Sequence, residues 1–204
     1  RTARPGAVFV SSACDGWQPI ENEFSLTREC CRILSEHGFE IHALTKSNLI
    51  LRDFDVLMPE RTRIAVTITS LDATLQQIWE PDAAPVSARL EIVKKAHAAG
   101  YKTGIMFGPI LPFLFDTQEH VDRLMEAATS VGVNIIWVDA MNPRPKVWES
   151  VLTVLRKHFP DLVDRYRAVL FSEKIREAYC QALRQRFQRA AERLGYAERL
   201  VVCV

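Results

Sequence analysis

The sequence predicts an α/β fold: a partial (β/α) TIM-type barrel with parallel strands and a helical C-terminal extension. Apolar, β-branched runs begin about 25–40 residues apart, which is the spacing of βα units. Amphipathic helical patterns fill the gaps between these runs. The alternation stops near residue 160, and a basic, helical region follows. We therefore expect the partial barrel over residues 1–160 and the helical extension over residues 161–204.

The predicted strands are nearly continuous apolar runs, as is typical of parallel strands that are buried on both faces. They are residues 7–13, 39–44, 64–70, 102–110 and 134–141, and residues 201–204 are a candidate for a final short strand. This pattern leaves an open, doubly wound sheet as an alternative, although the chain has no Gly-rich phosphate-binding turn.

Capping residues and glycines predict the limits of the helices. Ser25 is a candidate N-cap for a helix that ends before Gly38. Asp116 and Glu119 form a candidate capping box for a later helix. A short helix fits residues 49–58, before a proline.

Composition excludes several classes of protein. The formal net charge is +1, so no general attraction to nucleic acid or anionic lipid is expected. No apolar run approaches the roughly 18 residues that span a bilayer, and we expect a cytoplasmic protein without membrane contact. The chain begins without a methionine and close to a strand-like run, which we interpret as a start within the fold.

The five cysteines do not form a disulfide scaffold, because their number is odd and their spacing scattered. None of them forms a C-x-x-C pair, so we expect no metal site within this chain. We expect Cys14 to be a buried, inert thiol, and Cys30 and Cys31 to pack in the core of a helix. A reducing compartment is consistent with this usage.

Candidate functional residues follow the strands, because active sites of parallel α/β folds lie at the C-terminal ends of their strands. Polar residues or glycines follow every predicted strand: Asp15, Trp17 and Glu21; Thr45, Lys46 and Ser47; Thr69, Ser70 and Asp72; Gly108; Asp139 and Asn142. These groups are able to bind a polar ligand, but polar loops follow strands in any fold.

Each of these residues has a functional and a structural interpretation. Lys46 suits a carboxylate or phosphate, or is simply solvated. Asp15 suits an ammonium or hydroxyl group, or caps its own turn. Ser70 suits a sugar hydroxyl, or caps the next helix. Gly108 allows a flat ring to approach the backbone, or serves a strand-end turn.

Five segments carry motif-like spacing. They are residues 8–21 (similar to T-D-x-Y-Q-P-x-E, with Thr27-Arg28 following), 45–57 (T-K-S…R-D), 67–72 (S-x-x-x-D), 80–90 (E-P…P…R-L) and 108–116 (P-x-x-P…D). In this order they resemble radical S-adenosylmethionine (radical SAM) enzymes of the spore photoproduct lyase-like, DNA repair photolyase-like group. Each segment alone is a weak signal.

The resemblance implies a lyase-like enzyme with a [4Fe–4S] cluster held on a C-x-x-x-C-x-x-C loop. S-adenosylmethionine (AdoMet) would chelate the cluster, and its one-electron cleavage would give a 5′-deoxyadenosyl radical for hydrogen abstraction. This chain lacks that loop, so the resemblance implies that the first strand and the cluster ligands lie upstream of Arg1. By itself the piece would bind no cluster and would be catalytically silent.

The resemblance also implies the residues that contact AdoMet. Those implied near its methionine end are Asp15, Lys46 and Ser47; those facing methionine or ribose are Thr69 and Ser70; those against adenine are Phe107, Gly108, Val138 and Ala140. Lys46 would pair with the AdoMet carboxylate. The family's hydrogen-donor cysteine lies near the same turn as Cys14, but Cys14 is displaced from that position, so the catalytic residue is left unknown.

Two further functions remain open. The C-terminal segment is basic and contains Arg184, Arg186, Arg189 and Arg193, which suits contact with a DNA backbone or, alternatively, a solvated helix face. A nucleic-acid-binding module without redox chemistry is therefore one alternative. The other is an ordinary barrel enzyme that uses Lys46 and Asp15 as charged catalytic groups.

Overall fold

In the part of the chain that the structure describes, six strands form one sheet, in the order in which they occur along the chain. The computed structural model describes residues 4–10, 14–142 and 144–203. The strands are β1 (Ala7–Val10), β2 (Glu40–Thr45), β3 (Thr62–Ile68), β4 (Lys102–Ile110), β5 (Ile135–Ala140) and β6 (Leu200–Val202). β1 pairs with β2, and β2 with β3, in parallel, with Val8 beside Ile41 and Ala43 beside Ile64. The predicted partial α/β barrel of parallel strands is confirmed.

Helices fill the gaps between the strands, as the periodicity predicts. They are α1 (Glu21–Phe24), α2 (Leu26–Glu36), α3 (Ala73–Trp79), α4 (Val86–Ala98), α5 (Gln118–Ser130), α6 (Pro145–His158), α7 (Val163–Phe171) and α8 (Glu173–Arg193), with 3₁₀ turns at Asn48–Asp55, Pro59–Arg61, Pro160–Leu162 and Ala197–Arg199. Helices therefore do follow residue 160, while the domain boundary at that residue stays a prediction. None of the helices in the described part of the chain is long and apolar enough to cross a membrane.

Some helix limits differ from the sequence prediction. Gly38 has a φ of +78°, a backbone conformation that suits the end of α2. Ser25 holds the predicted N-cap position of α2. It makes no side-chain capping bond, because it is also the C-cap of α1 and has a left-handed conformation (φ 52°). The predicted capping box at Asp116 is also wrong. Asp116 is buried, and the Thr117 hydroxyl instead accepts a hydrogen bond from the His120 main-chain nitrogen (3.3 Å).

The chain packs as two compact units, and β4 and β5 contribute to both. The first unit consists of Arg1–Ile68, Ala83–Met106 and Ser130–Ile136, and the second of Thr69–Asp82, Phe107–Thr129 and Trp137–Val204.

In the first unit, α4 covers the sheet at β3. Ile41 of β2, Ile64 and Val66 of β3, and Ile92 and Val93 of α4 are completely buried. Burial of such aliphatic side chains contributes about 1.5–3 kcal/mol each. This packing holds the ends of β1 to β3 in place.

In the second unit, one part of the core lies between the residues that follow β4 and the helices α6 and α7. Leu111, Phe115, Leu155, Tyr166 and Leu170 form one buried cluster. The final strand, β6, joins β5 through a hydrogen bond from the Cys203 nitrogen to the Val138 oxygen (2.8 Å). The C-terminal strand that the sequence predicts is thus present, slightly earlier in the chain.

Candidate functional site

The carboxylate of Asp15 fixes the turn after β1. It accepts hydrogen bonds from the Trp17 main-chain nitrogen (2.9 Å), the Thr45 hydroxyl (2.7 Å) and the Lys46 main-chain nitrogen (2.7 Å). Asp15 thereby joins the loop after β1 to the end of β2. Three protein donors thus take up most of the roughly four acceptor sites of this carboxylate.

Lys46 and Ser47 follow at the end of β2, and both are half-buried. The Ser47 hydroxyl accepts a hydrogen bond from the Leu49 nitrogen (3.3 Å), so it caps the 3₁₀ turn that starts at Asn48. The structure brings Asp15, Lys46 and Ser47 together within the first unit. Their contact with a ligand stays a prediction.

In the second unit, Thr69 and Ser70 follow β3, and both are buried. The Ser70 hydroxyl accepts a hydrogen bond from the Asp72 nitrogen (2.9 Å), and the Asp72 carboxylate accepts one from the Leu75 nitrogen (2.9 Å). Ser70 therefore supports the turn into α3, which is the structural interpretation of this residue. Binding of a sugar hydroxyl by either residue stays a prediction.

β4 and β5 come unusually close where Gly108 lies beside Asp139. A β-carbon at position 108 would be 3.1 Å from the β-carbon of Asp139 and 3.5 Å from its carbonyl oxygen. The missing side chain of Gly108 thus makes room for Asp139. The sequence analysis interpreted this glycine as space for a flat ring or as part of a strand-end turn, and did not predict the close approach of Asp139.

Phe107, Val138 and Ala140 are buried side chains of the second unit. Successive strand residues point to opposite faces, and the half-buried Asp139 stands between two buried neighbours. The Phe107 ring packs against the Phe187 ring of α8, with 6.0 Å between centroids. Because these side chains belong to the core, an adenine would contact the main-chain atoms of these residues. The contact with adenine stays a prediction.

Asp139 is a functional candidate that sequence reasoning noticed but did not select. Burial raises the pKa of its carboxyl, and the positive charges of Arg176 and Arg144 oppose this effect. Arg176 also donates a hydrogen bond to the Met141 carbonyl oxygen (2.8 Å), which holds its guanidinium at the end of β5. A carboxyl group in this setting is able to bind a ligand hydroxyl or amine. In the sequence, Asp139 is marked only as a polar residue at the end of an apolar run, and many other residues share that pattern.

The cysteine predictions have different outcomes. Cys14 is exposed, so the prediction of a buried thiol is wrong. Residues 11–13, which the sequence assigns to the end of the first strand, lie outside the described residues. Cys31 is buried as predicted, and burial raises the pKa of its thiol to about 12. Cys30 is exposed, because adjacent helix positions point to different faces, and the prediction of core packing is wrong for it.

The basic residues of α8 do not form one free surface. Arg193 pairs with Glu126 of α5 over 3.1 Å, and one guanidinium nitrogen of Arg186 is buried. Arg184 and Arg189 are exposed. Contact with DNA through this helix stays a prediction.

The described residues match solved structures of one enzyme. A spore photoproduct lyase variant matches with a TM-score of 0.67 over 99% of this chain and 62% of that chain, at 16% identity. The fold is that of spore photoproduct lyase. A second variant, with bound AdoMet and dinucleoside spore photoproduct, matches with a TM-score of 0.68 over the same shares at 15% identity. Identity at this level shows the fold alone.

Curated relatives extend beyond the matched region. An uncharacterised protein of Methanocaldococcus jannaschii is 31% identical over 114 residues, which are 55% of this chain and 44% of that protein. One of Mycobacterium tuberculosis is 27% identical over 168 residues, 80% of this chain and 49% of that protein. One of Acidianus two-tailed virus is 26% identical over 178 residues, 78% of this chain and 58% of that protein. The chain spans about half the length of these relatives. No family model matches the chain.

Proposed function

We propose that this chain is the AdoMet-binding barrel of a radical SAM enzyme. The observation that carries the proposal is the match to spore photoproduct lyase over 99% of the chain, including a structure with bound AdoMet. When bound and reduced, AdoMet supplies a 5′-deoxyadenosyl radical that abstracts a substrate hydrogen. Because the chain spans only 62% of the matched structures, the activity and substrate of the whole protein are part of this proposal.

The described residues fit AdoMet in chemical type. Lys46 presents an ammonium for the AdoMet carboxylate, on a main chain that Asp15 holds in place. We assign Ser47, Thr69 and Ser70 to the methionine or ribose. We assign the main chain at Phe107, Gly108, Val138 and Ala140 to the adenine.

The described residues do not fit a [4Fe–4S] cluster. Among residues 4–10, 14–142 and 144–203, no group of three or more His, Cys, Asp or Glu side chains is placed to hold a metal ion. Cluster ligands upstream of Arg1 therefore belong to the proposal.

Equilibrium dialysis with radiolabelled AdoMet tests the assignment of Lys46. We expect Lys46→Met to weaken binding about tenfold or more, the effect of losing a charge-assisted hydrogen bond. Lys102→Met is the matched control, because Lys102 is an exposed lysine at the amino end of β4. Equal affinity for the Lys46→Met variant and the wild type would remove Lys46 from the site, and absence of AdoMet binding would contradict the proposed function.

A second candidate function, single-stranded nucleic-acid binding, has specific support in the second unit. Phe171 is 53% exposed, and its ring packs edge-on against Trp148 with 5.4 Å between centroids. The exposed Arg144 lies one helical turn before Trp148. An exposed phenylalanine ring is suited to stacking a base, and an exposed arginine to neutralising a phosphate. A DNA lesion is accordingly one substrate class for the proposed enzyme.

Fluorescence anisotropy with a single-stranded oligonucleotide, titrated with salt, tests this surface. We expect Phe171→Ala to weaken binding about fivefold or more at low salt, and Arg144→Gln to reduce the salt slope by about 0.7. Phe24→Ala removes a phenylalanine that is 57% exposed elsewhere, and Arg156→Gln removes a charge from the far end of α6. Equal losses in the variants and controls, or no binding at low salt, would contradict the candidate.

A further inference from the structure

A second carboxylate, Asp53, lies behind the Asp15 turn. Asp53 is completely buried, and a buried charge requires partners. Its oxygens accept hydrogen bonds from the indole nitrogen of Trp17 (2.8 Å), Nε of Arg52 (2.6 Å) and Nη1 of Arg28 (3.2 Å). Two guanidinium groups and one neutral donor thus hold this carboxylate in a single place.

Trp17 connects Asp53 to the end of β2. Its indole ring is completely buried and donates a hydrogen bond to Asp53. Its main-chain nitrogen donates to the Asp15 carboxylate (2.9 Å). That carboxylate also accepts from the Lys46 nitrogen (2.7 Å). Trp17 therefore links two carboxylates: its indole nitrogen bonds to Asp53, and its main-chain nitrogen bonds to Asp15. Asp15 in turn bonds to the main chain of Lys46.

Further hydrogen bonds hold the Asp15 turn and the residues that follow it. The Thr27 hydroxyl donates to the Gly16 carbonyl oxygen over 2.6 Å. The buried Glu21 accepts from the Arg28 main-chain nitrogen (3.1 Å), and Arg52 donates to the Glu21 carbonyl oxygen (3.0 Å). Loops of this kind usually move freely, so bonds at this density indicate that the position of the turn matters.

We propose that Trp17 and Asp53 are positioning residues for Lys46: they clamp the Asp15 turn, and the turn sets the main chain from which the Lys46 ammonium reaches a ligand. The inference rests on the proposed function for the identity of that ligand. Neither Trp17 nor Asp53 needs to touch it. Positioning matters because a lysine side chain is long and flexible, and a misplaced main chain adds to the entropy lost on binding.

The test uses two variants that release the turn without creating a buried charge. Trp17→Phe removes the indole donor and keeps an aromatic ring, and Thr27→Val removes the bond to Gly16 with little change of volume. Thr103→Val is the matched control, since the buried Thr103 hydroxyl bonds to Asn134 (3.1 Å) at the amino end of β4. The control loses one side-chain hydrogen bond within the same unit.

Three measurements are made on each variant: urea unfolding, dialysis with AdoMet, and competitive acylation of lysines followed by mass spectrometry. We expect all three variants to lose stability. Only Trp17→Phe and Thr27→Val should change the acylation of Lys46 relative to Lys94 and Lys102, and weaken AdoMet binding, by about threefold to tenfold for one hydrogen bond.

The outcomes separate the inference from the proposed function. If both variants lose stability but keep the wild-type acylation ratio and AdoMet affinity, the network is merely structural and the inference is wrong. If the acylation ratio changes but the wild type binds no AdoMet, the clamp on Lys46 stands and the proposed ligand is wrong. Should Trp17→Phe fail to fold, the milder Thr27→Val decides the same question.

Discussion

Gly108 of β4 lies so close to Asp139 of β5 that a β-carbon on Gly108 would be only 3.1 Å from the β-carbon of Asp139. The atoms around this point include the main-chain oxygen and nitrogen of Asp139, at 3.5 and 3.6 Å. Backbone atoms in a sheet cannot move aside as the end of a flexible side chain can. This contact therefore makes position 108 sensitive to any side chain.

Gly108→Ala is expected to destabilise the protein by about 1–3 kcal/mol, the usual effect of overpacking. Urea unfolding at neutral pH measures the change. Gly6→Ala is the control, because no atom of the described residues lies within 4 Å of a β-carbon at that position. A stability loss no larger than that of the control would show that the strands separate easily here.

Asp139→Asn is expected to change how stability depends on pH. Burial raises the pKa of this carboxyl above its ordinary value of 3.8, so the folded state binds the proton more tightly than the unfolded state. Proton binding therefore adds to the free energy of unfolding. This contribution is fully present at pH values below the ordinary pKa, and it is lost as the pH rises through the raised pKa. The variant should thus gain stability relative to wild type between acidic and neutral pH.

Urea unfolding at a series of pH values measures this difference. Asp161→Asn provides the control, because Asp161 is an exposed carboxyl in the second unit. The same pH dependence in both variants, or a difference of opposite sign, would contradict the assignment to Asp139.

Tyr101→Phe is expected to cost about 1–3 kcal/mol, because a buried carbonyl would lose its donor. The Tyr101 hydroxyl lies 2.9 Å from the carbonyl oxygens of both Phe54 and Leu57, and the residue is only 4% exposed. Thermal or urea unfolding measures the loss. Tyr196→Phe, at a half-buried tyrosine near the C-terminus, should change stability by no more than about 0.5 kcal/mol.

Arg89→Lys is expected to cost about 2–4 kcal/mol even though the charge is kept. Arg89 is completely buried, and its Nε and Nη1 donate to the carbonyl oxygens of Ala84 (2.7 Å) and Thr67 (2.9 Å). A lysine ammonium cannot reproduce this fork. Arg32→Lys, at an exposed helix arginine paired with Glu29 and Glu36, should have little effect. Similar losses at the two positions would contradict this account.

Reconstitution of the 204-residue chain with iron and sulfide is expected to give no stable cluster absorbance. Its cysteines lack the C-x-x-x-C-x-x-C spacing of the implied cluster loop. Absorption spectra before and after removal of free iron measure the outcome. A cluster that persists, and that is lost in a Cys14→Ser variant, would show that the exposed Cys14 is a ligand.

The sequence predicted the strands well where residues close in the chain decide the structure. The limits of β4, Lys102 and Ile110, agree with the prediction at both ends. A short apolar run, residues 105–107, lies at the centre of this strand. Gly38 ends α2 as predicted, since glycine adopts a positive φ without strain. Ser25 holds the predicted N-cap position of α2, but its side chain makes no capping bond, because Ser25 is at the same time the C-cap of α1.

The sequence by itself determined the alternation of strands and helices and the placing of polar groups at strand ends, because both follow from patterns of neighbouring residues. It did not determine what those groups do. Tertiary structure decided that Asp15 is occupied by Thr45, 30 positions away, and that Trp17 reaches Asp53, 36 positions away. It also decided that Val138 is buried in the core while Asp139 stays half-exposed beside Gly108. Such pairings depend on which strands become neighbours and how closely they approach, and no local pattern carries that information.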